Sequence, residues 1–243
     1  MPLLPVAPAL GTLDTEQECL VLVVDDDGLS LQQLGPKAPG PVRCEFALGA
    51  ARHRRLYGGG RGQDIAKATG LGRSGFCPKL LDLTAGLGRD GFIMASLGAQ
   101  VTMIERNPII YALLADGLSR AGDKVEGDPP LAEILQRINS VCQDSVDYLD
   151  TLTDQQCPDV IYLDPMFPSR EKSSKVKKEM QIFHQLVGPD DARELLPVAL
   201  GKARYRVVVK RPVHAPFLNG CEPGYSLKGK STRFDIYPLQ KLP

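Results

Sequence analysis

Short apolar runs alternate with longer stretches of mixed polarity through the carboxyl-terminal two-thirds of the chain. Each run is rich in Val, Ile and Leu, which is typical of strands that are buried on both faces of a sheet. The stretches between them carry apolar residues at helical spacing. This alternation predicts βαβ units and a mostly parallel sheet with helices on both faces. The predicted strands are 80–83, 100–104, 137–142, 160–163 and 205–210, and the predicted helices are 90–97, 108–120, 131–136 and 190–200.

The two ends of the chain follow other patterns. Residues 225–238 predict a final pair of strands that closes one edge of the sheet, giving seven strands in all. Near the amino terminus, an apolar run over 19–24 precedes an acidic turn over 25–28 and a segment rich in Gly and Pro over 34–41. We therefore expect a small amino-terminal lobe over 1–75 and one α/β domain over 76–243.

Composition limits the classes of function that are open to this chain. Its 243 residues, 43% of them hydrophobic, can form one substantial core. Basic and acidic residues number 29 each, so nucleic-acid binding would need local basic patches. No apolar stretch is long enough for a membrane span, and the six cysteines form no CxxC or metal-binding cluster. We expect a soluble cytoplasmic protein without membrane or metal partners.

A glycine turn follows the first strand of the predicted domain. Gly86, Gly88 and Gly91 satisfy G-x-G-x-x-G, and Glu105 ends the next strand. Glycines let the backbone approach a ligand closely, and a carboxylate after the second strand can accept both ribose hydroxyls of an adenosine. The pattern predicts a cofactor that contains adenosine.

Asp82, inside the first strand, bears on which cofactor this is. A strand that binds a nicotinamide cofactor usually runs apolar into its first glycine, whereas Asp82 could meet the cationic amino-acid end of S-adenosyl-L-methionine (SAM). This residue favours SAM, and NAD stays open as an alternative together with a turn that binds no ligand.

A second candidate segment, DPMFP, follows the strand at 160–163. It lies at the carboxyl end of a parallel strand, the edge where open α/β sheets bind ligands. Asp164 could accept hydrogens from an exocyclic amine, Phe167 could stack on a flipped base, and Pro165 would stiffen the loop. Because the lone pair of such an amine is delocalised into the ring, acceptors of its hydrogens would promote attack on a methyl group. The segment predicts the target half of a methyl-transfer site.

The loop is similar to the (D/N)-P-P-(Y/F) loop of amino-methylating nucleic-acid methyltransferases, with Met166 replacing the second proline. The chain further resembles the bacterial guanine-N2 methyltransferases of small-subunit ribosomal RNA, the methyltransferase J family, over residues 46–237. The resemblance rests on RHRRLYGGGRGQDIAKA, DLTAGLGRDGF, ERNP, YLDPMFP, VKKEM, LVGPD, VVVKRP and RFDIY. It implies a Rossmann-like class I methyltransferase fold, SAM as cofactor and 16S ribosomal RNA or the small ribosomal subunit as partner.

The resemblance also implies residue roles at matching positions. Contacts with SAM are expected from Arg89, Asp90, Glu105, Arg106 and Asp164. A polar pair after the third strand of the domain, Asp144 and Ser145, is expected to face the adenine. The amino-terminal 45 residues match no motif of the family, so their role stays open.

Two basic clusters are candidates for an RNA surface. One surrounds the glycines at 58–60 and consists of Arg52, Arg54, Arg55 and Arg61, with His53 and Tyr57 between them. The other directly follows the DPMFP loop and consists of Arg170, Lys172, Lys175, Lys177 and Lys178. Lys210 and Arg211, at the end of the fifth strand, could extend this basic surface.

The predicted activity is methyl transfer from SAM to the exocyclic N2 amine of a guanine in 16S ribosomal RNA. Three alternatives stay open: an amino-methyltransferase for another base or a protein amide, an NAD-dependent oxidoreductase, and a non-catalytic RNA-binding factor. Nothing in the sequence demands a dimer, so we expect a monomer.

Overall fold

A computed structural model describes residues 19–36, 38, 40–73, 75–165, 186 and 194–243. Its strands are β1 Cys19–Asp25, β2 Gly28–Leu34, β3 Lys79–Asp82, β4 Gln100–Glu105, β5 Ile138–Cys142, β6 Val160–Leu163, β7 Arg206–Pro212, β8 Tyr225–Lys228 and β9 Thr232–Pro238. Its helices are α1 Gly49–Tyr57, α2 Asp64–Thr69, α3 Arg89–Ser96, α4 Pro108–Gly122, α5 Pro129–Leu135, α6 Ser145–Thr151 and α7 Leu195–Lys202.

Seven of these strands form one sheet in the order β5-β4-β3-β6-β7-β9-β8. The strands from β5 to β7 are parallel, and β9 runs antiparallel between β7 and β8. The prediction of a mostly parallel seven-stranded sheet is confirmed. The order of the strands reverses between β3 and β6, so the connections after these two strands diverge and leave a crevice at their carboxyl ends.

Strand β6 shows why the central strands are apolar throughout. All four of its residues are fully buried. Val160 and Tyr162 belong to the hydrophobic cluster on one face of the sheet, and Ile161 and Leu163 belong to the cluster on the other face. Because successive side chains of a strand point to opposite faces, two helical layers require an unbroken apolar run.

The amino-terminal segment is a hairpin followed by two helices. β1 and β2 pair antiparallel around the acidic turn. The apolar run at 19–24 corresponds to β1, whereas β2 was not predicted. Helices α1 and α2 were not predicted, because their small and basic residues give little apolar periodicity. Phe46, which precedes α1, stacks on Phe92 of α3 with a centroid separation of 4.8 Å. Residues of this segment therefore share the core of the large sheet, while a division of the chain at residue 75 stays a prediction.

Local signals explain where the predicted helices begin. α5 starts at Pro129, earlier than predicted, because the Asp128 side chain accepts from the Leu131 amide and a proline occupies the first turn. α6 was not predicted, and Asp144 caps it by accepting from two backbone amides. α7 is described from Leu195, so the predicted residues 190–193 lie outside the described part. In that part no helix combines the length and apolar character that a bilayer span needs.

Replacing Phe46 with Ala should destabilise the whole fold. The side chain is 1% exposed, so its removal leaves a cavity beside Phe92 and should lower the free energy of unfolding by about 3–5 kcal/mol. Chemical denaturation followed by circular dichroism measures this change. Tyr57→Ala is the control, because that ring is 73% exposed and its loss should change stability by less than about 0.5 kcal/mol. An early partial transition in Phe46→Ala, with the main one unchanged, would show instead that the segment folds separately.

Candidate active site

The glycine turn connects β3 to α3 at the crevice between β3 and β6. Gly86 and Gly88 both have positive φ, at 54° and 67°. A Cβ at Gly88 would lie 2.6 Å from the Leu114 side chain, whereas a Cβ at Gly86 would meet nothing closer than a carbonyl oxygen at 4.0 Å. Gly88 is therefore required by packing against α4, and Gly86 borders open space, where a ligand can approach the backbone.

Glu105 closes one side of this turn. Its Oε2 accepts from the Gly86 amide at 2.9 Å and its Oε1 accepts from the Asn107 amide at 2.8 Å. Burial raises the pKa of the carboxyl group, although these amides and Arg106 oppose the rise. Each carboxylate oxygen keeps a second lone pair, so Glu105 is held in place and can still accept hydroxyl donors such as those of a ribose.

Asp82 lies at the base of the crevice, at the end of β3, and is 2% exposed. Burial raises its pKa to about 8, and the Thr84 amide, which donates to Oδ1 at 3.1 Å, opposes the rise. The side chain is therefore largely protonated near pH 7. A cationic ligand group placed beside it would favour the carboxylate and release the proton.

The polar pair after β5 lies at the same sheet edge. Asp144 accepts from the Val146 amide at 2.8 Å as the cap of α6. The Ser145 hydroxyl is buried and donates to the Leu83 carbonyl at 2.7 Å. The structure thus brings both residues next to the glycine turn, but these hydrogen bonds serve the protein itself. Arg89 and Arg106 are exposed at the rim of the crevice, and both have bonding partners.

Asp164 joins the glycine turn to the end of β6. Its backbone amide donates to the Thr84 hydroxyl at 2.6 Å, and Pro165 after it is buried. The Asp164 side chain is 39% exposed. The predicted stacking residue Phe167, the rest of the DPMFP loop and the basic residues at 170–178 lie outside the described residues.

Asp90, at the start of α3, is the centre of a charged network that sequence reasoning did not predict. Its Oδ1 accepts from Arg54 of α1 at 3.2 Å, and its Oδ2 accepts from the Tyr162 hydroxyl at 2.8 Å and from Lys210 at 2.7 Å. Lys210 also donates to Asp164 Oδ2 at 2.7 Å. Although burial favours the neutral acid, Lys210 and Arg54 hold the pKa of Asp90 below its usual range.

Sequence signals for this network were present but were interpreted differently. Lys210 and Arg54 were assigned to a basic RNA surface, whereas here they pair with acidic residues of the site. Arg55 and Arg61 are also engaged within the protein, since Arg55 pairs with Asp128 and Arg61 donates to backbone carbonyls. Among the described residues, no group of His, Cys, Asp and Glu side chains has an arrangement suited to a metal ion.

The order of the seven strands, with β9 antiparallel between β7 and β8, is that of a class I SAM-dependent methyltransferase. The SAM-dependent methyltransferase family matches residues 7–239. The ribosomal RNA small subunit methyltransferase J of Cellvibrio japonicus is 56% identical over 233 residues, covering 95% of this chain and 87% of that protein. The corresponding protein of Pseudomonas aeruginosa is 54% identical over 94% of this chain and 85% of its own length. The chain belongs to the ribosomal RNA small subunit methyltransferase J family.

A solved structure supports this assignment. The crystal structure of the SAM-dependent methyltransferase from Neisseria gonorrhoeae shares 39% identity with this chain and superposes with a TM-score of 0.70. The match covers 91% of this chain and 84% of that one. Family membership decides between the two cofactors that the glycine pattern left open. The chain is a SAM-dependent enzyme, and the open space at Gly86, the held Glu105 and the acidic Asp82 fit that cofactor.

Asp82→Asn should stabilise the protein increasingly as the pH rises. The pKa of Asp82 is about 8 in the folded protein and near 3.8 when exposed, so ionisation favours the unfolded chain between these values. The stability of the variant relative to the unmodified protein should therefore grow between pH 5 and pH 8, on the order of 1 kcal/mol per pH unit. Thermal or chemical denaturation over this range measures it.

Glu45→Gln is the control for this experiment. Burial alone would raise the pKa of Glu45. The Ala47 and Leu48 amides and Arg120 outweigh burial and lower the pKa below its usual value. Its carboxylate stabilises the fold above the unfolded pKa of about 4.5, and this contribution is lost only at lower pH. The difference between Glu45→Gln and the unmodified protein should therefore stay constant from pH 5.5 to pH 8. A constant difference for Asp82→Asn as well would contradict the prediction.

Proposed function

We propose that the chain transfers a methyl group from SAM to the exocyclic N2 amine of a guanine in 16S ribosomal RNA. The observation that carries this proposal is the position of Asp164, whose backbone amide is bound to Thr84 of the glycine turn at 2.6 Å. The contact puts an acidic residue at the mouth of the cofactor crevice, where the methyl acceptor must arrive. Relatives at 56% and 54% identity are named for the small-subunit ribosomal RNA that they modify.

In this proposal the residues of the crevice hold the cofactor. Glu105 uses its remaining lone pairs for the ribose hydroxyls, and Asp82 lies below the space at Gly86 as an acceptor for a cationic group. Asp144 and Ser145 border the adenine side, Arg89 and Arg106 border the rim, and Asp90 borders the crevice at the start of α3. When bound, SAM supplies an electrophilic methyl group on its sulfonium.

Asp164 acts on the acceptor. Its carboxylate accepts a hydrogen of the guanine amine, which draws the lone pair of the nitrogen out of conjugation, and it takes up the proton after transfer. Burial raises the pKa of Asp164, while Lys210 opposes the rise, so the carboxylate is more basic than an exposed one. Pro165 fixes the backbone after it, and Phe167 is proposed to stack on the base. We propose that the enzyme acts as a monomer.

Asp164→Ala should abolish methyl transfer with little loss of stability. Loss of a positioned proton acceptor typically lowers rates by on the order of 10²–10⁴-fold, whereas the backbone bond to Thr84 survives the change. The measurement is transfer of a labelled methyl group to small ribosomal subunits and, separately, to protein-free 16S ribosomal RNA, with mapping of the modified nucleotide. Adenine labelling would move the substrate assignment to another base.

Asp159→Ala is a matched control, because Asp159 precedes β6 whereas Asp164 follows it. Its carboxylate accepts from the Lys79 amide at 2.9 Å and from Arg204 at 3.3 Å, at the opposite edge of the sheet. This variant should lose stability and keep its turnover rate below its melting temperature. Wild-type turnover in Asp164→Ala, or equal loss in both variants, would refute the role of Asp164.

We also propose that the exposed face of α1 binds the RNA next to the target nucleotide. Tyr57 is 73% exposed and forms a ring pair with His53 at a centroid distance of 5.2 Å. Arg52 is exposed on the same helix, and Arg54 ties the helix to Asp90. Exposed aromatic rings beside a basic residue suit stacking with unpaired bases.

Tyr57→Ala should weaken RNA binding without affecting cofactor binding. Base stacking on an aromatic side chain contributes about 1–3 kcal/mol, so the KM for RNA should rise roughly fivefold or more. Steady-state kinetics and titration with S-adenosylhomocysteine separate the two effects. Tyr225→Ala is the control, because Tyr225 is 44% exposed on the edge strand β8. An equal rise of the KM in both variants would contradict the assignment to α1.

A further inference from the structure

The ammonium group of Lys210 lies between the two halves of the site. Its Nζ donates to Asp90 Oδ2 and to Asp164 Oδ2, both at 2.7 Å, and the side chain is 25% exposed. Asp90 belongs to the cofactor turn and Asp164 to the target loop. Lys210 therefore bridges the acidic side chains of these two segments, in addition to the bond between the Thr84 hydroxyl and the Asp164 amide.

The charges around Asp164 show why a cation is needed at this position. The nearby titratable and charged groups are Asp82 on β3, Asp90 on α3, Tyr162 on β6, Lys210 and Arg211 on β7, and Arg54 of α1 through Asp90. Two neighbouring carboxylates cannot both stay ionised in a half-buried site without a counter-charge, because one of them takes up a proton. Tyr162 cannot supply this charge, because a phenol is either neutral or anionic. Burial raises its pKa, so it stays a neutral hydrogen-bond donor.

The protonation state of Asp164 matters for the proposed chemistry. A protonated carboxyl group cannot take the proton of the guanine amine, and its hydroxyl would act as a donor. Burial already raises the pKa of Asp164 even with Lys210 in contact. Removal of the ammonium group would raise it further, toward the working pH.

Lys210 also fixes the orientation of Asp164. It binds Oδ2, while Oδ1 accepts no hydrogen bond from any described residue. The same ammonium group is bound to Asp90, which Arg54 and Tyr162 hold in place. Among the described residues, the carboxylate of Asp164 thus has one oxygen bound to Lys210 and one oxygen that accepts from none of them.

We infer that Lys210 is a positioning residue that keeps Asp164 ionised and directs its Oδ1 to the methyl-accepting amine. The inference rests on the proposed function, since it assigns Lys210 a role in the same methyl transfer. This role differs from the binding of RNA phosphates, because the ammonium group of Lys210 pairs with carboxylates of the protein itself.

The test compares Lys210→Met and Lys210→Arg with the unmodified protein. In Lys210→Met, the pKa of Asp164 should rise by about 1–3 units, read from the ¹³C signal of its labelled carboxyl group and assigned with Asp164→Asn. The kcat near pH 7 should fall on the order of 10²-fold, with the KM for SAM changed less than about threefold. The acidic limb of the kcat profile should move to higher pH. Lys210→Arg retains the charge and should restore most of the rate.

Lys202→Met is the matched control. Lys202 ends α7 and donates to the Leu152 carbonyl at 2.9 Å, away from the crevice. Its loss should leave the pKa of Asp164 and the pH profile unchanged. If Lys210→Met does not fold, Lys210→Gln keeps hydrogen-bond donors without charge and should show the same rise in the pKa of Asp164.

The two parts of the experiment separate this inference from the proposed function. An unmodified enzyme that methylates neither small subunits nor 16S ribosomal RNA would refute the proposed function, and the carboxyl titration would still decide the role of Lys210. An unchanged pKa of Asp164 in the folded Lys210 variants would overturn the inference. A shifted pKa with a normal kcat profile would overturn it as well, because the shift would then have no effect on transfer.

Discussion

Two carboxylates that share one ammonium group dominate the architecture of the site. Asp90 follows the glycine turn and Asp164 follows β6, and the parallel arrangement of β3 and β6 brings both to the same edge of the sheet. Such proximity is unfavourable for ionised acids unless a cation lies between them. Lys210 on the neighbouring strand β7 provides that cation. Fold and chemistry are thus linked, because the strand order that creates the crevice also positions its counter-charge.

The amino-terminal segment contributes to this arrangement from outside the βαβ core. Arg54 of α1 pairs with Asp90, and Phe46 stacks on Phe92 of the same helix α3. On the other side of the segment, Arg120 of α4 donates to the Cys44 carbonyl and to Glu45. Polar and apolar contacts therefore both attach the segment to helices that flank the crevice. The segment supports one wall of the site even though its sequence carries no cofactor motif.

Patterns that depend on chain neighbours were predictable from the sequence. The apolar strands and the glycine turn follow from periodicity and from local backbone requirements, so β6 was predicted with its observed bounds and Glu105 was predicted at the end of its strand. Short capped helices such as α6 were missed, because seven residues give little periodicity. The pairing of Lys210 with Asp90 was not predictable, since these residues are 120 positions apart and only the folded sheet brings them together.

The order in which the chain is synthesised determines when the contacts of Asp90 can form. Asp90 is synthesised after its partner Arg54 and long before its other partner, Lys210. β7 in turn pairs with β9, which is synthesised after it and fills an interior place in the sheet. A nascent chain released before β9 would leave an unpaired, apolar strand β7 at an edge, which is a template for aggregation. Because the charged network around Asp90 also needs Lys210, it cannot be complete until β7 has been synthesised, near the end of the chain.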